Sequence, residues 1–247
     1  MPISPNQGST GGGTLVTITG TNLSGTSAVK FGSKFATSVT NVSPTQVTAV
    51  SPSGTGVVDV TVTTPGGTSN PVSYFYVAAP FKSSLGTTSG PTAGGNTITI
   101  NGTGLSTATS VAFGPNTATP TVNSDSSLSV TVPAGTAGPV AVSVTTAGGT
   151  NNGLTYTYIE VPTVGTVSPS SGPTSGGTAV TITGTNLDST SSVTFGGAPA
   201  PFSVVSATTL SAVTPPGTAG AVDVVVTNPA GSATATGAFT YVAGPGI

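Results

Sequence analysis

The chain has 247 residues, with three Lys or Arg, five Asp or Glu, and neither His nor Cys. Charged residues make up only 3%, against about 25% in ordinary soluble domains, whereas 35% are hydrophobic. Intrinsic disorder is disfavoured, because disordered chains combine low hydrophobicity with high net charge and the net charge here is −2. No apolar run approaches the ~18 residues of a membrane span, so membrane insertion is not expected.

The sequence repeats itself with a period of 82 residues, as Gly20, Gly102 and Gly184 illustrate. We therefore predict three tandem domains, called the first, second and third repeat, at residues 1–80, 81–162 and 163–247. A domain of about 80 residues buries only about 60 to 65% of its unfolded surface, so each core should be modest.

Each repeat opens with a glycine pair, as at Gly12 and Gly13, which we expect to turn the chain at positive φ. A strand follows, because Val16 and Ile18 alternate with threonine. The glycine at position 20 should then let the chain bend so that the next leucine enters the core.

The later strands of the repeat carry the same alternation. They are Val29-Lys30-Phe31, the strand containing Val58, Val60 and Val62, and a last strand with Tyr74 and Tyr76. The Pro65-Gly66-Gly67 turn joins the last two of these. Short alternating strands without any helical pattern predict an all-β fold, with three tandem immunoglobulin-like antiparallel β-sandwiches in an extended row.

The start of the repeat resembles a known domain family. In the third repeat, Ser168–Thr178 is followed by Val180–Leu187 and Val193–Gly197, which is similar to the opening of an IPT/TIG domain. This resemblance implies an immunoglobulin-like fold, found in plexin-type receptors, transcription factors, bacterial amylases and bacterial or phage surface proteins. The second repeat departs from the pattern, because it has Gly104 where its sisters have Asn22 and Asn186.

The residue inventory argues against catalysis. Without His or Cys, a serine has no imidazole base and metals lose their commonest soft ligands. The three bases are Lys30, Lys34 and Lys82, which we place on a strand, in a loop and in a linker. The five acids are scattered, whereas calcium needs about six to eight clustered oxygens. We expect no enzyme activity, no cofactor and no metal site.

Binding partners are constrained by the same composition. Nucleic acid is not expected, because phosphate binding needs Lys and Arg and the sequence pI is near 4.4. Polysaccharide remains possible through exposed aromatic rings, and the candidates outside the repeated strand pattern are Phe35, Phe81 and Phe202. Packing at a rim or linker is the alternative for each, and we expect Phe81 to wedge between domains.

Asp59 and Asp223 occupy the one repeated charged position, and each is expected to face solvent or a neighbouring domain. The segment containing Pro245 and Ile247 parallels the linkers between repeats. Residues 1 to 82 hold three Lys and one Asp, a net of +2, and residues 83 to 247 hold four acids, a net of −4. Docking of this tail on the first repeat of another chain, aided by Lys30 and Lys34, would build head-to-tail filaments. The alternative is a frayed tail and an accidental placement of charge.

These features favour a non-catalytic structural or adhesive surface protein of bacterial or phage origin. It would form a homo-oligomer or bind other surface or virion proteins, outside the cell, at its surface or in a virion. No signal peptide is visible at the start of the sequence. The alternative is a polysaccharide-binding accessory module.

The linkers generate a first prediction. Val77-Ala78-Ala79-Pro80 and Ile159-Glu160-Val161-Pro162 are short and contain proline, so they should hold successive repeats semi-rigidly. Small-angle X-ray scattering should therefore report an elongated particle, and a compact globule would contradict this expectation.

Overall fold

The computed structural model describes residues 1–245, in which the regular structure consists of β-strands alone. No helix in this part of the chain is long and apolar enough to cross a membrane. The first repeat contains β1 (Ile3–Ser4), β2 (Gln7–Ser9), β3 (Leu15–Thr19), β4 (Ala28–Phe31), β5 (Lys34–Phe35), β6 (Ser38–Ser43), β7 (Gln46–Val50), β8 (Gly56–Thr64), β9 (Gly67–Thr68) and β10 (Val72–Val77).

The other two repeats have the same order of strands. The second contains β11 (Phe81–Leu85), β12 (Ser89–Pro91), β13 (Thr97–Thr103), β14 (Ser110–Phe113), β15 (Asn116–Ala118), β16 (Thr121–Ser124), β17 (Ser127–Thr131), β18 (Gly138–Thr146) and β19 (Gly149–Ile159). The third contains β20 (Thr163–Ser168), β21 (Ser171–Pro173), β22 (Ala179–Thr185), β23 (Ser192–Phe195), β24 (Ala198–Pro199), β25 (Phe202–Ser206), β26 (Thr209–Val213), β27 (Gly220–Asn228) and β28 (Gly231–Val242).

Each repeat forms two sheets, and the three repeats are tandem immunoglobulin-like β-sandwiches. In the first repeat the strand orders are β1-β3-β7-β6 and β2-β10-β8-β4-β5, with β9 also paired to β8. Neighbouring strands are antiparallel except for one parallel pair per repeat, which is β2 with β10 in the first. This parallel pair was not expected from the alternation pattern.

The described chain forms two compact units. One comprises residues 1–86, 97–131 and 141–154, and the other comprises residues 87–96, 132–140 and 155–247. Strands of the second repeat contribute to both units.

The predicted alternation places its apolar residues in the cores. Val16, Ile18, Val60 and Tyr74 are fully buried in the first repeat, and burial of each such side chain is worth about 1.5 to 3 kcal/mol. The residues between them are half-buried or exposed, so β3 and the second half of β8 each present one buried side and one outward side.

Aromatic rings of the last strand pack edge-on in the core of each sandwich. In the first repeat, Tyr74 lies edge-on to both Phe31 and Tyr76, with ring centroids 5.0 and 5.1 Å apart. The Tyr76 hydroxyl donates a hydrogen bond of 2.8 Å to the carbonyl of Pro52. Tyr158 and Tyr241 donate in the same way to Pro133 and Pro215, at 2.7 and 2.6 Å. Burial raises the pKa of all three donating tyrosines.

The glycines at the end of the first long strand have a role that differs from our expectation. A Cβ atom at Gly102 would overlap the carbonyl oxygen of Phe81, and one at Gly184 would overlap that of Thr163. These glycines therefore admit a neighbouring backbone, and the bend comes two residues later. Asn22, Gly104 and Asn186 all adopt positive φ there, between 57° and 71°. Asn and Gly are the residues that tolerate this conformation, which explains why they exchange at this position.

Lys82 is the largest departure from the sequence prediction. It lies in strand β11 instead of a linker, is 6% exposed, and donates from its Nζ to the carbonyl of Val142. Burial lowers the pKa of its ammonium from 10.5 to about 8. In the third repeat, the same position is Val164, which packs against the core. Lys82 thus places a cation where a sister repeat places an apolar side chain.

Replacing Lys82 by Met should make the protein more stable at neutral pH, by about 1 to 2 kcal/mol. Below pH 8 both the folded and unfolded chains carry the proton, so the cost of burying the cation is constant. From pH 8 towards 10.5 the unfolded chain holds more protons than the folded chain, so the free energy of unfolding rises. Urea unfolding between pH 7 and about 9.5 should show this rise in the wild type and not in the variant.

The hydroxyl of Tyr74 generates another prediction, because it is buried without a hydrogen-bond partner. The equivalent Tyr156 shares hydrogen bonds with Asn96, and the third repeat has Phe239 at this position. Tyr74→Phe should therefore stabilise the chain by about 1 kcal/mol, whereas Tyr156→Phe should destabilise it by a similar amount. Chemical denaturation of both variants checks the pair, and equal effects of the same sign would contradict it.

Candidate binding face of the first repeat

The outward side of the sheet β2-β10-β8-β4-β5 carries the candidate site. We call it the front face and define it by Lys30, Phe35, Val57, Asp59 and Phe75. Lys30 faces outward because both of its neighbours in β4 are buried. It lies opposite Phe35 in β5 and Thr61 in β8, so these three side chains form one row across the sheet.

A second row lies two pairs further along β8. Val57 lies opposite Phe75, and Phe75 is in turn beside Gln7. Asp59 stands between the two rows, on the same side of the strand as Thr61 and Val57. Phe35 and Phe75 are separated by three strand spacings across the sheet and by four residues along the strands. The distance between them is therefore about 20 Å.

The front face exposes three apolar side chains beside one cation and one carboxylate. Phe35 and Val57 are each 61% exposed, and Phe75 is 41% exposed. The Nζ of Lys30 lies 4.7 Å from the centre of the Phe35 ring, an arrangement worth about 0.5 to 1 kcal/mol at an exposed site. A flat ligand with hydroxyl groups could stack on the rings and bond to the lysine, carboxylate and threonine between them.

The other repeats lack this combination. At the positions of Lys30, Phe35, Val57, Asp59 and Phe75, the second repeat has Ala112, Thr117, Pro139, Ala141 and Thr157, and the third has Thr194, Pro199, Ala221, Asp223 and Thr240. Neither set contains an aromatic ring. The front face is therefore a property of the first repeat and not of the shared fold.

Lys34 and Asp223, which were also candidates from the sequence, do not belong to the front face. Lys34 lies in β5, where its Nζ donates to the carbonyl of Ser53 at 2.8 Å. The Asp223 carboxylate accepts from the backbone of Gly237 at 2.8 Å, at a break in the register of β27 and β28. Asp223 therefore supports a strand irregularity, whereas Asp59 is exposed on the front face as expected.

The remaining aromatic candidates lie elsewhere. Phe202 in β25 is half-buried and packs against the core of the third repeat, in keeping with rim packing. Phe81 is 62% exposed in strand β11, so the expected wedge between domains is wrong. Pro245 is exposed, and Ile247 lies outside the described residues.

Phe75 and Val57 were missed from the sequence. Phe75 stands between Tyr74 and Tyr76 in the last strand, and so it belongs to a pattern that is attributed to the core. The sequence did contain a signal for Phe75. Side chains alternate along a strand, so a residue between two inward-pointing tyrosines must point outward. Among residues 1–245, no group of three or more Asp, Glu, His or Cys lies close enough to hold a metal ion.

Comparison with known proteins identifies the domains. A family model described as the IPT/TIG domain matches residues 1–76, 80–158 and 162–241. No curated protein matched the sequence.

Among solved structures, the extracellular region of plexin A4 is 24% identical with a TM-score of 0.50, covering 87% of this chain. This chain spans only 20% of that plexin chain. An SGBP-B protein of a xyloglucan utilization locus in Bacteroides uniformis is 22% identical, with 65% of this chain and 49% of that chain covered and a TM-score of 0.33. The Escherichia coli adhesin FdeC is 17% identical, with 95% of each chain covered and a TM-score of 0.35. The identity of 24% to plexin A4 indicates a shared fold alone. The three family matches together span nearly the whole sequence. The chain therefore belongs to the IPT/TIG domain family, of which it contains three tandem copies.

Proposed function

We propose that this chain is a non-catalytic structural or adhesive surface protein of bacterial or phage origin, acting outside the cell, at its surface or in a virion. The observation that carries the proposal is the front face. It exposes two aromatic rings on the first repeat, where the sister repeats have threonine or proline at the same positions. Each ring has its own neighbour on this face, Val57 beside Phe75 and Lys30 beside Phe35, and exposed apolar surface of this kind marks a contact site.

The rest of the surface supports a scaffold role. Hydroxyl groups pair across exposed strands, as Thr163 does with Thr185 at 2.8 Å and Thr227 with Ser232 at 2.8 Å. Such contacts carry no net charge, so salt hardly screens them. A scaffold of this kind would keep its structure over a broad range of ionic strength.

Replacing the two rings by the residues of the second repeat tests the adhesive role. Phe35→Thr with Phe75→Thr copies Thr117 and Thr157, so the sandwich should remain folded. Beads coated with the wild-type chain should adhere to bacterial or animal cells, counted by microscopy. The double variant should reduce adhesion by at least about tenfold, because about 3 kcal/mol of apolar contact is lost. The matched control is Thr117→Ala with Thr157→Ala, and equal adhesion by all three proteins would contradict the proposal.

Polysaccharide binding is the second candidate, favoured by the exposed Phe35 and Phe75 rings on a face that also carries hydrogen-bonding side chains. A glycan array and retention on insoluble polysaccharides separate the two functions. Specific retention that is lost in the Phe35→Thr and Phe75→Thr variant would assign the front face to a saccharide. Adhesion to cells without retention on any glycan would assign it to another surface partner.

A further inference from the structure

The front face carries opposite charges at two neighbouring positions whose side chains point apart. Lys30 lies opposite Thr61, two residues from Asp59, so the Cα atoms of Lys30 and Asp59 are about 8 Å apart. The Nζ of Lys30 lies over the Phe35 ring, on the side of β4 that is away from β8. Asp59 is exposed. The cation and the carboxylate therefore stand side by side on the outward surface, each directed away from the other.

A second copy of the same face supplies the opposite charge to both side chains. When two identical faces meet across a two-fold axis that lies between them, residue i of one contacts residue j of the other, and the reverse contact also forms. An axis that passes midway between Lys30 and Asp59 therefore sets Lys30 of each copy against Asp59 of the other. A single arrangement of the two chains thus forms two ion pairs.

The same axis also matches the uncharged residues of the face. Strands lie about 4.8 Å apart and residues about 3.3 Å apart along each strand, so the register gives the place of every outward side chain. In projection onto the sheet, the axis places Phe35 within about 3 Å of Val57 of the second copy. Thr61 lies beside the axis, within about 3 Å of Thr61 of the second copy. Apolar residues therefore meet apolar residues in the arrangement that pairs the charges.

Phe75 extends this apolar contact. The axis places it about 7 Å from Phe35 of the second copy, a separation at which aromatic rings still attract each other. The face is about 20 Å wide across five strands and about 25 Å long, which gives about 500 Å² on each copy. A total of about 1,000 Å² is at the lower limit for a specific interface, so a single contact should be weak.

The charge pattern is confined to the first repeat. At the positions of Lys30 and Asp59, the second repeat has Ala112 and Ala141, and the third has Thr194 and Asp223. Neither sister repeat carries a cation there, so neither face is complementary to itself. Each chain therefore has one such surface.

We propose that the front face of the first repeat binds the front face of a second copy of this chain across a two-fold axis, with Lys30 of each copy against Asp59 of the other. The inference rests on the proposed adhesive role and supplies its partner, since two surfaces that display the chain adhere to each other. The contact closes on itself and joins chains in pairs. Many weak contacts formed in parallel between two surfaces give strong adhesion.

Sedimentation equilibrium of the full chain in low-salt buffer, and clustering of beads coated with it, test the proposal. The wild type should form dimers at high concentration, its beads should cluster, and added salt should weaken both effects. Lys30→Glu and Asp59→Lys should each weaken dimerisation at least about tenfold, because each replaces two attractive charge pairs per dimer by two repulsive pairs.

A mixture of these two variants tests the pairing itself. In a mixed dimer the introduced carboxylate faces the introduced ammonium, and the other pair is the native one. The mixture should therefore dimerise as the wild type does, although neither variant does so alone. The matched control is Thr194→Glu, which adds a carboxylate to the third repeat at the position equivalent to Lys30. It should dimerise normally by itself and should not restore dimerisation to Asp59→Lys.

Three results overturn the proposal: a wild type that stays monomeric on beads and in solution, dimerisation unchanged by Lys30→Glu, or a mixture that stays monomeric. Thermal unfolding by circular dichroism verifies that each variant is folded. Adhesion of the coated beads to cells that lack the chain is counted in parallel. Adhesion without clustering supports the adhesive role and rejects this contact, whereas clustering without such adhesion supports the contact and rejects adhesion to other surfaces.

Discussion

The structure depends on the aromatic residues of the last strand in each repeat. Tyr76 donates to the Pro52 carbonyl in the loop between β7 and β8, and a Cβ atom at Gly54 would overlap its ring. The same hydroxyl-to-carbonyl bond recurs in the other two repeats, so the loop before β8 and its counterparts are held without disulfides. A buried hydrogen bond combined with edge-on rings fixes the last strand in position and direction, and small cores need such specific contacts.

The inward contacts of the last strand also determine which side chains it presents to solvent. Because Tyr74 and Tyr76 point inward, Phe75 between them must point outward, beside Val57. The strand then continues directly into the linker, whose path over the next repeat is determined by where the strand ends. One set of inward contacts therefore positions both the front face and the residues that reach the following domain.

Much of the fold could be predicted from the sequence, because period and alternation are properties of residue order. Val16, Ile18 and their counterparts were placed in the core correctly, and the glycine pairs do adopt positive φ. The front face was predicted only in part, since Phe35 and Lys30 meet across β4 and β5 while the place of Phe75 depends on the register of three further strands. Lys82 was missed because a shift in the register of β11 directs it inward.

Linker binding has a consequence for how such a chain can change in length. The two linkers between repeats each run from a last strand onto the sandwich that follows, where side-chain amides bind their carbonyls: Asn151 binds that of Pro80 and Asn228 that of Glu160. Insertion or loss of a whole 82-residue unit would keep this order of last strand, linker and following sandwich. Gene duplication could lengthen the molecule in steps of one domain, and the individual repeats would remain free to acquire different outer faces, as the first repeat has done.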